Sequence, residues 1–235
     1  MKKNKITKEE LSALIVAGKD IQDISYSHIF DMSYMFKGCT ELTTIPHLDT
    51  SHVINMFGMF IDCFKLTKVP PLNTSNVTNM GSIFYNCKSL ETIPMFDMSN
   101  VVNLSSAFQN CHSLILLPNL NTYKVVDMSS TFQNCFKLNY INSLSTSRCS
   151  NLYKTFFNCN NLEKSLTTHT FSKHVHMQYM FNSGDAFINC FTKRHSINIL
   201  CKQLALDDFT KKTYQNLDKI NLSKVIEDKL LLFPN

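Results

Sequence analysis

Residues 80–103 read MGSIFYNCKSLETIPMFDMSNVVN, and residues 104–127 continue in the same pattern as LSSAFQNCHSLILLPNLNTYKVVD. In both stretches a Phe follows the first residue by four positions, a Cys follows the Phe by three, and a Leu follows the Cys by three. The spacing repeats over six copies, whose cysteines are Cys39, Cys63, Cys87, Cys111, Cys135 and Cys159. An unbroken 24-residue period of this kind is typical of a repeat protein.

The positions around each cysteine are apolar in every copy. The Phe column contains Phe36, Phe60, Phe84, Phe108, Phe132 and Phe156. The column four residues earlier contains Met32, Met56, Met80, Leu104, Met128 and Leu152. A degraded seventh copy follows one residue late, as Met177 and Phe181, with Gly184 in place of the cysteine. We therefore expect the Phe and Met columns to form the core.

A 24-residue unit is too short to bury its own apolar side, so the units are expected to stack. The Met-x3-Phe-x2-Cys spacing predicts a short helical turn. The Leu-x2-Ile-Pro segment predicts a brief extended strand that pairs in parallel with the next unit. The predicted fold class is an α/β repeat solenoid, leucine-rich-repeat-like, with six full 24-residue coils plus a degenerate seventh and helical caps at both ends.

The two ends of the chain lack the period and are predicted to be caps. Residues 1–25 contain Thr7 and Glu10 at capping-box spacing before Leu11–Val16, with Gly18 at the expected helix end. The alternative, a signal peptide, has only a short apolar core that follows two glutamates, and no cleavage site of small residues. Residues 26–184 form the predicted solenoid. Residues 185–235 show helical apolar spacing and are either a cap or a separate partner-binding segment.

The repeat unit resembles that of the BspA-like leucine-rich-repeat surface proteins of mycoplasmas, other bacteria and some protists. The resemblance rests on Met-x3-Phe-x2-Cys-x2-Leu-x2-Ile-Pro-x-Leu, followed by Asp/Asn-Thr-Ser-x-Val-x-Asn, over residues 26–182. It implies adhesion or another protein–protein contact, a surface location, and no catalytic residues. The alternative is an intracellular effector or inhibitor whose helical C-terminal tail carries the activity on a repeat scaffold. Because the sequence has no clear signal peptide, it favours by itself a cytoplasmic location for the protein.

The six-cysteine ladder can be interpreted in three ways. Disulfides between neighbouring coils require Cβ atoms about 3.8 Å apart, whereas parallel coils hold equivalent residues about 4.8 Å apart. Structural zinc requires ligands that converge on one point, but a ladder places them along a line. We therefore predict a column of buried, reduced thiols that pack as small apolar groups. Cys149 lies in a column of valines and is predicted to be in the core as well.

Composition and charge exclude several classes. The chain has 235 residues, of which 44% are hydrophobic, so it can form a packed core and is not disordered. No apolar run approaches the ~18 residues of a membrane-spanning helix, so no membrane insertion is expected. The net charge of +5 is spread evenly along the chain, which argues against nucleic-acid binding.

Catalytic and cofactor chemistry is disfavoured. Cys190 and His195 could act as nucleophile and base, but nothing nearby in sequence would orient them or form an oxyanion hole. His174 and His176 lack further ligands for a metal and are interpreted, with His169, as surface residues. The sequence contains no glycine-rich phosphate loop and no zinc-protease motif. We therefore expect neither enzyme activity nor a cofactor.

The positions that vary between coils define the candidate contact face. One column reads Thr44, Lys68, Thr92, Leu116 and Tyr140, and a second reads His47, Pro71, Met95, Asn119 and Ser143. Such variation is expected on a solvent-exposed face, which is either shaped for a partner or unconstrained. The predicted partner is another protein, and the candidate contacts are Lys68, Met95, Leu116 and Tyr140.

Overall fold

The computed structural model describes residues 5–141, 144–162, 176 and 178–180. We number the coils 1 to 6 by their cysteines, from Cys39 to Cys159. Parallel bridges link equivalent residues of successive coils, through Asp31, Asn55, Asn79, Asn103, Asp127 and Asn151. The chain is therefore a repeat solenoid. The predicted C-terminal cap at residues 185–235 lies outside the described residues, as do His169, His174, Cys190 and Cys201.

The seventh coil is out of phase, as the sequence predicts. His176 pairs with Asn151, a spacing of 25 residues, whereas the five bridges that link Asp31 through to Asn151 each join residues 24 apart. The N–H of Leu152 donates to the carbonyl oxygen of His176, and the N–H of Phe156 donates to that of Met180 at 2.8 Å. Met180 is buried. The one-residue slip therefore lies before His176, and the stack continues as far as Met180.

The predicted N-terminal helix is present as α1, Lys8–Val16. Thr7 is its N-cap and forms the full capping box with Glu10: each side chain bonds the other residue's backbone N–H. The helix ends before Gly18, which has a φ of +66°, a conformation that glycine adopts without strain. Leu11 and Ile15 are buried against coil 1. This helix covers the front of the solenoid.

The helix satisfies hydrogen-bond acceptors that the first coil would otherwise expose. In coil 2, the equivalent carbonyl oxygens accept N–H groups of coil 1, but coil 1 has no preceding coil. Instead, Lys8 Nζ donates to the carbonyl oxygen of Ser33 at 2.8 Å, and Ser12 Oγ donates to that of Met35 at 2.6 Å. Two side chains of α1 therefore replace the N–H groups of a missing coil.

This arrangement predicts the effect of Ser12→Ala. The carbonyl of Met35 would lose its donor under the helix, so the free energy of unfolding should fall by about 1 kcal/mol. Urea denaturation measures this loss, and hydrogen exchange should show faster opening of coil 1. The exposed Val16 provides the control, because Val16→Ala should change stability by less than about 0.5 kcal/mol. Equal stabilities for the two variants would contradict the capping role.

The prediction of a helical turn between the Met and Cys columns is wrong. In coil 3, the N–H of Ile83 donates to Met80 O, three residues back, whereas an α-helix bonds four residues back. The intervening N–H of Ser82 donates to Ser105 O of coil 4 at 2.8 Å. Ser82 and Asn86 have φ values of +53° and +61°, which an α-helix excludes. The segment is a series of tight turns that hydrogen-bond to the next coil.

Among the described residues, the predicted strands form in one pair of coils. Strand β1, Leu116–Leu117, pairs in parallel with β2, Tyr140–Ile141, with Leu116 opposite Tyr140. In the other described coils the same segment makes single backbone bonds, such as Thr67 N to Thr43 O at 3.1 Å. A proline follows this segment in coils 1 to 4 and has no N–H to extend a ladder.

The core contains the Phe and Met columns, as the sequence predicts. Successive Phe rings stack along the solenoid axis, with centroids 5.3 to 5.7 Å apart. All six members of this column are buried, and so are the members of the Met column. Because each ring packs between its neighbours in adjoining coils, no coil is expected to fold alone.

Candidate interaction surface

Five of the six ladder cysteines are buried, as predicted, whereas Cys39 of the first coil is half-buried. The five buried thiols act as hydrogen-bond donors. Cys87 Sγ donates to Phe60 O, and Cys111 Sγ donates to Phe84 O, both at 3.1 Å. Cys63, Cys135 and Cys159 make the same bond to the preceding coil. All seven described cysteines are free. The five buried thiols are therefore more than the small apolar groups that the sequence predicts, because each of them also hydrogen-bonds to the preceding coil.

Burial also determines the reactivity of these thiols. Desolvation raises the pKa of Cys63 to about 12, and it raises the pKa values of Cys87, Cys111 and Cys135 well above 9.0. Cys149, also buried, has its pKa raised to about 11 for the same reason. The thiolate is the nucleophilic and metal-binding form, so these cysteines are unreactive at neutral pH. The ladder is a structural element.

A second ladder, which the sequence analysis missed, precedes the cysteines by one residue. In it, Asn110 Nδ2 donates to Asn86 Oδ1 at 2.6 Å, and Asn134 Nδ2 donates to Asn110 Oδ1 at 2.7 Å. The amide ladder extends through Asp62, Asn86, Asn110, Asn134 and Asn158. Every member has a positive φ, near +62°. The Asn or Asp before the cysteine in coils 2 to 6 was the available signal, since these residues tolerate that conformation.

Asn110→Ala tests the amide ladder. It removes two side-chain hydrogen bonds and places, at a φ of +63°, a residue that has a Cβ atom but no polar side chain to bond the local backbone. We therefore expect the free energy of unfolding to fall by about 2–4 kcal/mol. Asn110→Gly removes the bonds but accepts the backbone conformation, as Gly38 does in coil 1, and should cost less. Both are measured by urea denaturation. The ladder would be unimportant if Asn110→Ala were no worse than Gln109→Ala.

The four predicted contact residues are all exposed. Leu116 and Tyr140, 48% and 50% exposed, lie opposite each other on β1 and β2. Ile115, at 39% exposure, precedes Leu116 and was not predicted. Lys68 lies in the same column two coils earlier, and Met95, 70% exposed, lies in the second variable column of coil 3. The structure therefore joins Leu116 and Tyr140 into one patch, which we call the β1–β2 patch, together with Ile115.

A second exposed apolar column was also missed. It directly follows the buried valines and contains Phe30, Ile54, Val102 and Val126, with Thr78 and Ser150 at the remaining positions. Their backbones pair from coil to coil, as in the bond from Ile54 N to Phe30 O at 2.8 Å. The sequence signal is the alternation of a buried and an exposed β-branched residue, as at Val101 and Val102.

Of the three histidines considered as metal ligands, His176 is the one that lies within the described residues. The ring of His176 stacks on Tyr153 with centroids 5.5 Å apart. Within the described part of the chain, no three His, Cys, Asp or Glu side chains are placed to hold a metal ion. The same residues include no helix that is long and apolar enough to span a membrane.

Comparison with known proteins identifies the repeat. A family model described as a mycoplasma protein of unknown function, DUF285, matches residues 8–115 and again residues 90–195. The two matches overlap and together span well over half of the chain. No curated protein and no solved structure matches the sequence. The double match agrees with the stacked coils described above: the chain belongs to the DUF285 family of mycoplasma repeat proteins, whose function is unknown.

Proposed function

We propose that this protein is a non-catalytic protein–protein interaction module of the BspA-like leucine-rich-repeat type, which acts as an adhesin or partner-binding surface protein. The membership in a repeat family and the 24-residue coils support a scaffold with a long, regular surface. The observation that carries the proposal is the β1–β2 patch, where Leu116 and Tyr140 are adjacent and about half exposed.

The patch has the features of a contact site. Ile115, Leu116 and Tyr140 are large apolar or aromatic side chains on paired backbone, so they present a surface that is ordered before binding. Tyrosine is enriched at protein interfaces, since it buries a large ring and keeps a hydroxyl for hydrogen bonding. The same column is polar in earlier coils, at Thr44, Lys68 and Thr92. The apolar character is therefore local to coils 4 and 5.

Site-specific photocrosslinking tests this surface. Benzoylphenylalanine replaces Tyr140 in one protein and Tyr123 in a matched control, because the two tyrosines are 50% and 52% exposed. The proteins are produced in the source cells, or added to the cell surface, and then irradiated. We expect a discrete protein adduct from position 140 but not from position 123. Adding Leu116→Asp to the labelled protein should abolish the adduct.

The other outcomes reject the proposal. Equal labelling from positions 123 and 140 would show that the probes react with proteins by random collision and not at a specific interface. An adduct that forms from a probe at Phe209, and not from position 140, would favour the alternative in which the C-terminal segment carries the activity. No adduct from position 140 under either form of presentation would remove the β1–β2 patch as a contact site.

A further inference from the structure

The charged side chains of coils 2 to 5 are separated between two parts of the solenoid surface. Residues 53–141 contain five lysines and four acidic residues. The segments that follow each cysteine by one to eight positions carry Lys65, Lys68, Lys88, Lys137 and Glu91. The other parts of the same coils carry Lys124, Asp62, Asp97 and Asp127. The first set of segments, which we call the variable face, is therefore basic, although charge is even along the sequence.

Three lysines of the variable face keep their charge available to a partner. Lys65 is the exception, because its Nζ lies 2.6 Å from Oε2 of Glu41 in coil 1. No ion pair among the described residues involves Lys68, Lys88 or Lys137, and all three are exposed. The positive charge of this face is thus only partly neutralised within the chain.

Two of these lysines lie beside the β1–β2 patch. The carbonyl oxygen of Lys88 accepts the N–H of Ser113 at 3.2 Å, so Lys88 contacts coil 4 two residues before Ile115. Lys137 precedes Tyr140 of β2 by three residues. Lysines of coils 3 and 5 therefore border the apolar side chains of coils 4 and 5.

Exposed aromatic rings extend the apolar surface next to these lysines. Lys88 Nζ lies 5.0 Å from the ring centroid of Phe64, and the ring centroids of His112 and Phe136 are 4.8 Å apart. Both phenylalanines are exposed. Burial lowers the pKa of His112, and the nearby charge of Lys88 lowers it further, so the imidazole is neutral at neutral pH. The variable face thus combines apolar and aromatic groups with fixed positive charge.

This combination favours an acidic segment of another protein over other occupants. Carboxylates form charge-assisted hydrogen bonds with lysine ammonium groups, and complementary charge speeds and orients the encounter. Large apolar side chains of a partner can cover Ile115 and Leu116, as in the core of an interface. A basic segment would be repelled by the lysines. A nucleic acid would supply negative charge but no aliphatic side chain to cover Leu116.

We propose that the β1–β2 patch binds an acidic segment of another protein, in which large apolar side chains alternate with Asp and Glu. The inference rests on the proposed function, since it names the chemistry of the partner that this patch contacts. The apolar side chains of the segment cover Ile115, Leu116 and Tyr140. Its carboxylates form ion pairs with Lys88 and Lys137.

Defined peptides test this chemistry on the full chain. The chain contains no tryptophan, so one tryptophan in a peptide reports binding through its fluorescence anisotropy. The acidic probe is acetyl-Glu-Asp-Leu-Asp-Trp-Asp-Leu-Asp-Glu-amide, and the matched neutral probe replaces Asp by Asn and Glu by Gln. At about 20 mM salt we expect the acidic probe to bind at least about tenfold more tightly than the neutral one. This advantage should largely disappear at about 0.5 M salt.

Paired lysine substitutions locate the charge that matters. Lys88→Gln combined with Lys137→Gln should weaken binding of the acidic peptide severalfold and leave that of the neutral peptide unchanged. The control combines Lys19→Gln with Lys124→Gln, which removes the same charge from two exposed residues outside the variable face. The control protein should bind both peptides as the wild type does.

Four results would overturn the inference. These are equal binding of the acidic and neutral peptides, equal weakening by the two lysine pairs, and no binding of the acidic peptide below about 1 mM. The fourth is tighter binding of an oligothymidylate of about nine nucleotides than of the acidic peptide, which would indicate a nucleic-acid partner.

Photocrosslinking from position 140 separates this inference from the proposed function. The expected result is that Lys88→Gln with Lys137→Gln lowers the yield of the adduct severalfold, whereas the control pair does not. An unchanged yield with both pairs would leave the protein contact in place and overturn the acidic partner. No adduct from position 140 in the wild-type background would reject the proposed function and this inference together.

Discussion

Phe108→Ala should lower the free energy of unfolding by about 3–5 kcal/mol. The ring is fully buried in coil 4, and its centroid lies 5.7 Å from that of Phe84 and 5.5 Å from that of Phe132. Truncation removes the apolar burial of the ring and leaves a cavity between two rings that remain in place. Because each coil is held by its neighbours, the loss should be transmitted to coils 3 and 5. Urea denaturation followed by circular dichroism measures the change.

Phe136→Ala provides the control for this prediction. Phe136 is exposed in the next coil and contacts His112, with ring centroids 4.8 Å apart. Loss of one surface aromatic contact should cost no more than about 1.5 kcal/mol. If Phe108→Ala unfolded at the same urea concentration as the wild type, the inward assignment of the Phe column would be wrong.

Stability should fall steeply above pH 9 because of the cysteine ladder. Burial raises the pKa of Cys63 from 9.0 to about 12, and the pKa values of Cys87, Cys111 and Cys135 rise in the same direction. Above pH 9 the unfolded chain loses thiol protons that the folded chain retains, so rising pH favours unfolding. Between pH 8 and pH 10 each such thiol should lower the free energy of unfolding by about 1 kcal/mol, or about 4 kcal/mol for these four.

Cys111→Ser isolates the contribution of one thiol. Serine keeps a donor for the carbonyl oxygen of Phe84 but does not titrate in this range. A buried hydroxyl already makes this type of bond in the stack, since Thr131 Oγ1 donates to Leu104 O at 2.9 Å. The loss of stability between pH 8 and pH 10, from urea denaturation at each pH, should be smaller in the variant by about 1 kcal/mol. An equal loss in both proteins would show that this thiol does not retain its proton.

The sequence predicted the residues that lie inside the molecule. A strict 24-residue period over six copies identified the stacked Phe and Met columns, the buried cysteines and the slip before the seventh coil. The spacing of Thr7 and Glu10 predicted the capping box of α1. These predictions depend on periodicity and on local bonds within three residues, both of which can be read along the chain. The predicted contact residues were likewise placed at exposed positions.

Periodicity did not specify where the backbone hydrogen bonds go. The same spacing from Met to Cys fits a helical turn or a series of tight turns, because both place these side chains on one side. Hydrogen bonds between coils decide between the two conformations, because the N–H of Ser82 donates to the carbonyl oxygen of Ser105, 23 residues further along the chain. Likewise, only the stacked coils show that Asn110 joins an amide ladder and that Cys111 bonds Phe84 O.

The ends of the stack and its irregular sites were also decided by tertiary structure. Nothing in the local sequence indicates that Lys8 and Ser12 replace the donors of an absent coil, or that the Asn76 side chain donates to the carbonyl oxygen of Ser51 in the preceding coil. The sequence by itself thus determined the repeat, its register and its core, because burial follows the period. Tertiary structure alone decided the bonds between coils and at the N-terminal end of the stack, because their partners lie more than twenty residues apart and meet only when the coils stack.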